Sequence, residues 1–231
     1  QYLSSQNKKI IFLTNNSLYS REEICDKLHA VGGYRTSLDC IFTSCHILSE
    51  YIRLFKPDVK RIYALGRQVL VDELIRICPE GTVHAHTHND LYGKISWEEY
   101  NQGTVEGMDT AKDIDCVAVG LDENLSVHQL MYASYAIQSG AILLCTDREF
   151  PHRSSNFPGK RLPSTNSMVS ALELCTGVQP IVTGKPNPLI MEIMAIDTHS
   201  QRKDILFVGD NLYTDIKFSN NSGVDCLLVL T

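Results

Sequence analysis

The sequence predicts an α/β protein built on a mainly parallel, doubly wound sheet, with a large inserted segment in the middle of the chain. Three observations lead there. Short apolar runs with no polar alternation, such as Ile205–Val208, read as strands covered on both faces. These runs alternate with stretches of helical apolar spacing along nearly the whole chain. The residues of greatest chemical interest follow such runs near position 14 and again between 185 and 215. In an open α/β sheet, ligands bind in the crevice at the carboxyl ends of the strands, so the stretch between those positions reads as the insertion.

Taken in order, Lys9–Leu13 is the first expected strand. Ser20-Arg21-Glu22-Glu23 is a capping-box start for a helix that Gly32-Gly33 stops. A second helix runs from about Ser44 to Phe55, with Ile47, Leu48, Tyr51, Ile52 and Phe55 at helical spacing and Pro57 ending it. Arg61–Leu65 reads as a strand closed by Gly66, and Val69–Ile77 as a helix closed by Cys78-Pro79. From Glu80 to Asp113 the periodicity dissolves into a polar segment, too long to be wholly structureless inside a compact domain. Ile114–Leu121 is a strand, Val127–Gln138 a helix stopped by Gly140, and Ala141–Cys145 a strand. A polar loop over Arg148–Ser164 precedes a helix at Met168–Cys175. A short strand begins near Ile181, Pro188–Ile196 is a helix opened by its proline, and Asp225–Leu230 is a last strand.

Composition narrows the class. The 231 residues are 43% apolar and 21% charged, as in an ordinary globular protein, and the net charge of −6 leaves no basic footprint for nucleic acid or an anionic membrane. No apolar run approaches a membrane span and no signal peptide opens the chain. The eight cysteines have no Cys-x-x-Cys spacing, and Cys116, Cys145 and Cys226 lie in strand-like runs. They read as reduced core residues, and a cytoplasmic location is expected. Three glycosylation-type sequons (Asn15-Asn16-Ser17, Asn124-Leu125-Ser126, Asn220-Asn221-Ser222) read as chance matches.

Three strand ends carry polar groups able to converge: Thr14-Asn15-Asn16-Ser17, then Gly184-Lys185-Pro186-Asn187-Pro188, then Gly209-Asp210-Asn211-Leu212-Tyr213-Thr214-Asp215-Ile216. A hydroxyl, a cation and a metal-binding carboxylate at one point suit a transferring phosphoryl group, and carboxylates make a hard oxygen site for Mg²⁺. These three stretches, in this order, resemble motifs two, three and four of the haloacid dehalogenase superfamily. They look most like its capped branch of p-nitrophenyl, phosphoglycolate, pyridoxal and nucleotide phosphatases. The resemblance implies a Rossmannoid doubly wound parallel-sheet core (1–59 and 181–231) interrupted by an inserted α/β cap domain (60–180), a homodimer through the cap, and a small phosphorylated substrate.

It also implies roles. Reaction would pass through an aspartyl-phosphate, with Thr14 donating its hydroxyl and Asn15 its backbone N–H to the phosphoryl oxygens. Lys185 would be the point cation, Asp210 would hold Mg²⁺ directly, and Asp215 would support the metal through water or by holding Lys185. Asn16 and the loop Asp147-Arg148-Glu149 would contact substrate. Relatives often carry Thr-Asn-Pro-Asp where this chain has Thr146-Asp147-Arg148-Glu149, and Pro-Gly-x-Gly where it has Pro163-Ser164-Thr165-Asn166. The nucleophile motif Asp-x-Asp-Gly should precede Thr14, yet residues 1–13 contain no Asp. The chain is therefore expected to be shortened at its N-terminus and inactive on its own, although the parent protein would be a phosphatase.

Two other readings stand beside this one. A non-catalytic pseudophosphatase would bind a phosphorylated ligand or protein through the same cleft. A generic nucleotide-binding module is weaker, because no Gly-rich dinucleotide or Walker loop is present. His84-Ala85-His86-Thr87-His88 puts three imidazoles on one side of an extended segment. Three His can hold Zn²⁺, but no fourth ligand is identifiable, so adventitious metal is the expectation. Trp97, Tyr92 and Tyr100 are expected to pack the cap or a partner's cap.

Overall fold

The computed structural model describes residues 2–78, 82–85, 96–105, 107–149, 152–153, 156–198 and 200–230. The first half of the chain runs α1 (Tyr2–Ser5), β1 (Phe12–Thr14), α2 (Arg21–Gly32), β2 (Ile41–Thr43), α3 (Ser44–Phe55), β3 (Arg61–Leu65), α4 (Gln68–Ile77), β4 (Thr82–Ala85) and α5 (Trp97–Gln102). The second half runs β5 (Cys116–Val119), α6 (Val127–Gln138), β6 (Ile142–Cys145), β7 (His152–Arg153), β8 (Arg161–Leu162) and α7 (Thr165–Thr176). It continues through β9 (Ile181–Val182), α8 (Leu189–Thr198), β10 (Leu206–Gly209), α9 (Lys217–Ser222) and β11 (Asp225–Leu228).

The centre is a five-stranded parallel sheet in the order β4-β3-β5-β6-β9. Its side chains alternate between two apolar layers, as the period of two in a strand requires. Ile62, Ala64, Cys116, Ala118 and Leu144 enter one layer together with Ile47, Leu48 and Ile52 of α3, Leu70 and Leu74 of α4, and Ile190 and Ile193 of α8. Tyr63, Leu65, Val117, Val119 and Leu143 enter the other with Tyr132, Ala133 and Ala136 of α6 and Val169 and Leu172 of α7. A sheet covered on both faces explains why these strands read as unbroken apolar runs.

Two parallel pairs flank this sheet and belong to other sheets: β1 with β2, and β10 with β11. The expected alternation of strands and helices is observed, but α1, α9 and the β7–β8 pair lie in stretches read without them, and three further differences stand out. The strand Ile41–Thr43 was not expected; three residues are too few for periodicity to register. The segment over 80–113 holds β4, α5 and a 3₁₀ turn at Met108–Asp113, each too short to repeat a pattern. β9 is bonded to β6 and so joins the central sheet, whereas the sequence boundary placed residue 181 with the third segment.

Local signals in the sequence account for the helix that leads away from the first site loop. Ser20 Oγ accepts the Glu23 N–H at 3.1 Å and Glu23 accepts the Ser20 N–H at 2.7 Å, and Gly33 closes α2 in the left-handed conformation. A buried ionic cluster then ties α2, α3 and α4 together. Glu73 meets Arg21 at 3.3 Å, His46 at 3.3 Å, and Arg76. Burial pushes the Glu73 carboxyl up, but the His46 and Arg76 contacts outweigh it and hold the group down at about 2.

Candidate active site

Three chain crossings build one cleft of about 280 Å³. The first is the loop after β1. Thr14 Oγ1 accepts the Asn16 N–H at 3.1 Å, which leaves its own hydroxyl hydrogen free to point into the cleft. Asn16 Oδ1 accepts the Leu18 N–H at 2.8 Å, an Asx turn that bends the loop. Asn15 is buried, and its carboxamide acts as a clamp. Oδ1 accepts the Lys185 N–H at 2.8 Å, while Nδ2 donates to the Lys185 carbonyl at 3.0 Å and to Glu149 Oε1 at 2.9 Å. One side chain thus does for Lys185 what a neighbouring strand would do, across 170 residues of sequence.

The second crossing is the turn after β9. Lys185 is 8% exposed, and Gly184 is what allows the chain through: a Cβ there would stand 2.2 Å from the Thr146 carbonyl oxygen. Asn221 Nδ2 donates to the Pro186 carbonyl at 2.9 Å and holds the turn from α9. The third crossing follows β10. The chain passes Asp210, then a π-type turn at Leu212–Ile216 that Asn211 Oδ1 caps by accepting the Tyr213 and Thr214 N–H groups. That turn swings Asp215 back beneath the strand end, so close that a Cβ on Gly209 would stand 2.4 Å from the Asp215 Cβ.

Asp215 is 5% exposed and fully engaged. Oδ1 takes the Lys185 ammonium at 2.7 Å, and Oδ2 takes the Asp210 and Asn211 N–H groups at 3.2 and 3.1 Å. This carboxylate positions a lysine and a loop. Of the two metal alternatives the sequence left for Asp215, the geometry places it on Lys185. Asp210 is exposed and lines the cleft. Mg²⁺ binds through one or two carboxylates, with waters and substrate phosphate completing six ligands. Asp210 fits that habit, and among the described residues no group of three His, Cys, Asp or Glu gathers to hold a metal alone.

The remaining wall comes from the loop after β6 and the start of α7. Asp147 is 6% exposed; its Oδ2 accepts the Thr146 hydroxyl at 3.0 Å and its Oδ1 the Glu149 N–H at 3.1 Å. Burial pushes the Asp147 carboxyl above its usual range, more than the bonds from Glu149 and Thr146 pull it down. Ser164 Oγ donates to the Glu149 carbonyl at 3.2 Å.

Thr14, Asn15, Asn16, Asp147, Glu149, Lys185, Asp210 and Asp215 therefore all line one cleft. Arg148 does not. Its guanidinium donates to both oxygens of Glu173 at 2.6 and 2.7 Å and to Asn166 Oδ1 at 2.8 Å, which turns it onto α7. A bidentate carboxylate on the facing helix holds it more firmly than an open cleft would. The substrate-contact role expected for Arg148 is corrected accordingly. Sequence reasoning missed Ser17, Asn211 and Thr214 as lining residues; they are small polar neighbours of motif positions with no pattern of their own. His84 lies in β4, but its side chain, His86, His88 and Tyr92 fall outside the described residues.

Comparison with known proteins follows the same lines. The haloacid dehalogenase-like hydrolase family model matches residues 1–77, and a HAD-hydrolase-like model matches residues 182–231. The chain is 32% identical to a 4-nitrophenylphosphatase of Schizosaccharomyces pombe over 236 residues, covering 99% of this chain and 74% of that protein. It is 28% identical to phosphoglycolate phosphatase 2 of Arabidopsis thaliana, again over 99% of this chain and 74% of the relative. Among solved structures, a hypothetical protein of Pyrococcus horikoshii superposes with a TM-score of 0.78 at 28% identity, covering 96% of this chain and 76% of the other.

Proposed function

This chain belongs to the haloacid dehalogenase-like hydrolases, and the relatives it matches are phosphatases; from that premise we propose that its cleft, completed by the nucleophile assigned below, hydrolyses phosphate monoesters of small molecules with the help of Mg²⁺. The observation that carries the reading is the Lys185–Asp215 pair, buried and held by Asn15 beside the Thr14 hydroxyl and the Asp210 carboxylate. A fixed ammonium and a fixed hydroxyl hydrogen meet the charge that develops on phosphoryl oxygens without having to reorganise. Thr14 donates to one such oxygen, Lys185 offsets the charge on another, and Asp215 keeps Lys185 aimed. Asp210 holds the Mg²⁺, which when bound neutralises phosphate charge. Asn16 and Glu149 border the ester. Since the relatives bear phosphatase names, the non-catalytic reading draws no support from them.

The nucleophile belongs to the same proposal. None of the four carboxylates lining the cleft suits attack on phosphorus. Asp215 is saturated, Asp147 and Glu149 are tied to neighbours, and Asp210 is needed for the metal. We assign the nucleophile to an Asp-bearing strand outside these 231 residues that pairs with the open edges of β1 and β10. Among the described residues, β1 pairs only with β2 and β10 only with β11. The expected division into a two-part core and a cap also belongs here, with β9 moved to the cap side; the three separate parallel sheets support it. Trp97, 76% exposed and stacked on Tyr100, supports dimerisation through that middle segment. Its cysteines, unpaired among the described residues, support a cytoplasmic location.

A phosphatase assay tests the central part. With p-nitrophenyl phosphate and Mg²⁺, the 231-residue polypeptide is expected to show no turnover above background. A polypeptide that also carries an upstream Asp-x-Asp-Gly strand is expected to turn over and to lose that activity on Lys185→Met. Turnover by the shorter chain contradicts the assignment of the nucleophile, and activity insensitive to Lys185 contradicts the cleft.

A further inference from the structure

The charge inventory of the cleft carries a statement about which esters it accepts, and it rests on the phosphatase reading above. Asp147, Glu149, Asp210 and Asp215 line the cleft against one cation among its described lining residues, Lys185, which Asp215 already neutralises. A bound Mg²⁺ and the substrate phosphate account for Asp210. Asp147 and Glu149 are left over, on the loop that follows β6. Neither has a cationic partner among the described residues: Asp147 accepts the Thr146 hydroxyl and the Glu149 N–H, and Glu149 accepts the Asn15 amide. Arg148, which sits between them in sequence, is turned onto Glu173. The hydroxyls of Ser164 and Thr165 add polar surface beside them, and among the described lining residues the apolar one is Leu121.

We infer that Asp147 and Glu149 are the specificity-determining residues of this cleft, selecting monophosphates whose alcohol part donates hydrogen bonds and bears no negative charge. Carboxylate oxygens accept hydrogen bonds and offer none, so hydroxyl or ammonium groups satisfy them. A substrate carboxylate brought beside them meets like charge in a confined site, which is how a binding site rejects a near-isostere. Among its described lining residues the cleft has no aromatic side chain and one aliphatic one, so a flat apolar leaving group finds little there to bury against.

Calorimetric titration of the 231-residue chain in Mg²⁺ reads this directly, using matched pairs: glycerol 3-phosphate against 3-phosphoglycerate, and phosphoethanolamine against phosphoglycolate, with orthophosphate as the reference. The uncharged or cationic member of each pair is expected to bind at least about tenfold tighter, a factor that corresponds to roughly 1.4 kcal/mol. Whichever of glycerol 3-phosphate and phosphoethanolamine binds better, the inference stands, and their order separates polyol from amine. Glu149→Gln, which keeps an oxygen for Asn15, and Asp147→Asn are each expected to shrink the ratios to about threefold or less. Should Asp147→Asn fail to fold, Glu149→Gln on the partly exposed side of the loop decides alone. Orthophosphate binding together with equal or reversed ratios overturns the inference and leaves the phosphatase reading intact. No binding of orthophosphate overturns that reading, and the inference falls with it.

Discussion

The central sheet and the flanking strand pair β10–β11 are made of similar residues and meet opposite fates. In the sheet, Leu144, Ile62 and Val119 are fully buried. In the flanking pair β10–β11, Leu206 is 60% exposed, Val208 52% and Leu227 51%. Phe207, between two of those exposed residues, faces inward against Phe218. The alternation is thus that of a strand with one covered face and one apolar face left open, where a doubly wound fold would cover both. The chemistry draws on both: Thr14 ends β1 and Asp210 follows β10, while the closed sheet contributes Lys185 after β9 and the Asp147 loop after β6. The lesson is that the cleft's order does not come from its strands. It comes from side chains that bond across them, chiefly Asn15 and Asp215.

The largest effect that would break this view is at Asp215. Asp215→Asn keeps the shape but leaves the Lys185 ammonium buried without its anion, so chemical denaturation should register a loss of about 3–5 kcal/mol. A loss under about 1 kcal/mol would mean that the site loops are held by their strands after all. The comparison itself is sharpened by a matched pair of truncations. Leu144→Ala, in the closed sheet, should cost about 2–5 kcal/mol. Val208→Ala, on the open face, should stay within about 0.5 kcal/mol. Equal costs would show that the open face is covered in solution.

The ionic cluster on α2, α3 and α4 joins the first site loop to the sheet and gives a pH signature. The Glu73 carboxyl titrates lower folded than unfolded, so its contribution is fully present above the ordinary value of 4.5 and is lost as pH falls toward about 2. Thermal melts of the wild type should therefore fall over that window. Glu73→Gln should melt lower at neutral pH and lose the part of the fall that Glu73 causes; an unchanged acid limb would place the titration elsewhere. The smallest effect expected is at the cap of α2, where Ser20→Ala should cost about 1 kcal/mol by denaturant titration.

How much of this was readable beforehand follows the same division. α3 and α6 announce themselves because they are long enough to show a period, and β3, β5 and β6 because both faces of their sheet are apolar and their runs are unbroken. β2, β4 and α5 are three to six residues long, and nothing repeats within such a span. The meeting of Thr14, Lys185, Asp210 and Asp215 was legible from strand ends that each carry a polar group. The role of the Asn15 carboxamide was not, since an asparagine in a loop gives no sign of which backbone, 170 residues away, it will clamp. Arg148 shows the limit from the other side. The family resemblance put it on a substrate-contacting loop, and nothing in the sequence shows that its guanidinium turns onto Glu173 of the facing helix.

The measurement that bears most directly on the cleft is a phosphorus NMR titration of orthophosphate with the 231-residue chain. Saturable binding at one site is expected, requiring Mg²⁺ and lost on Asp210→Asn while the melting temperature holds. No binding, or binding that neither Mg²⁺ nor Asp210→Asn alters, would contradict the account.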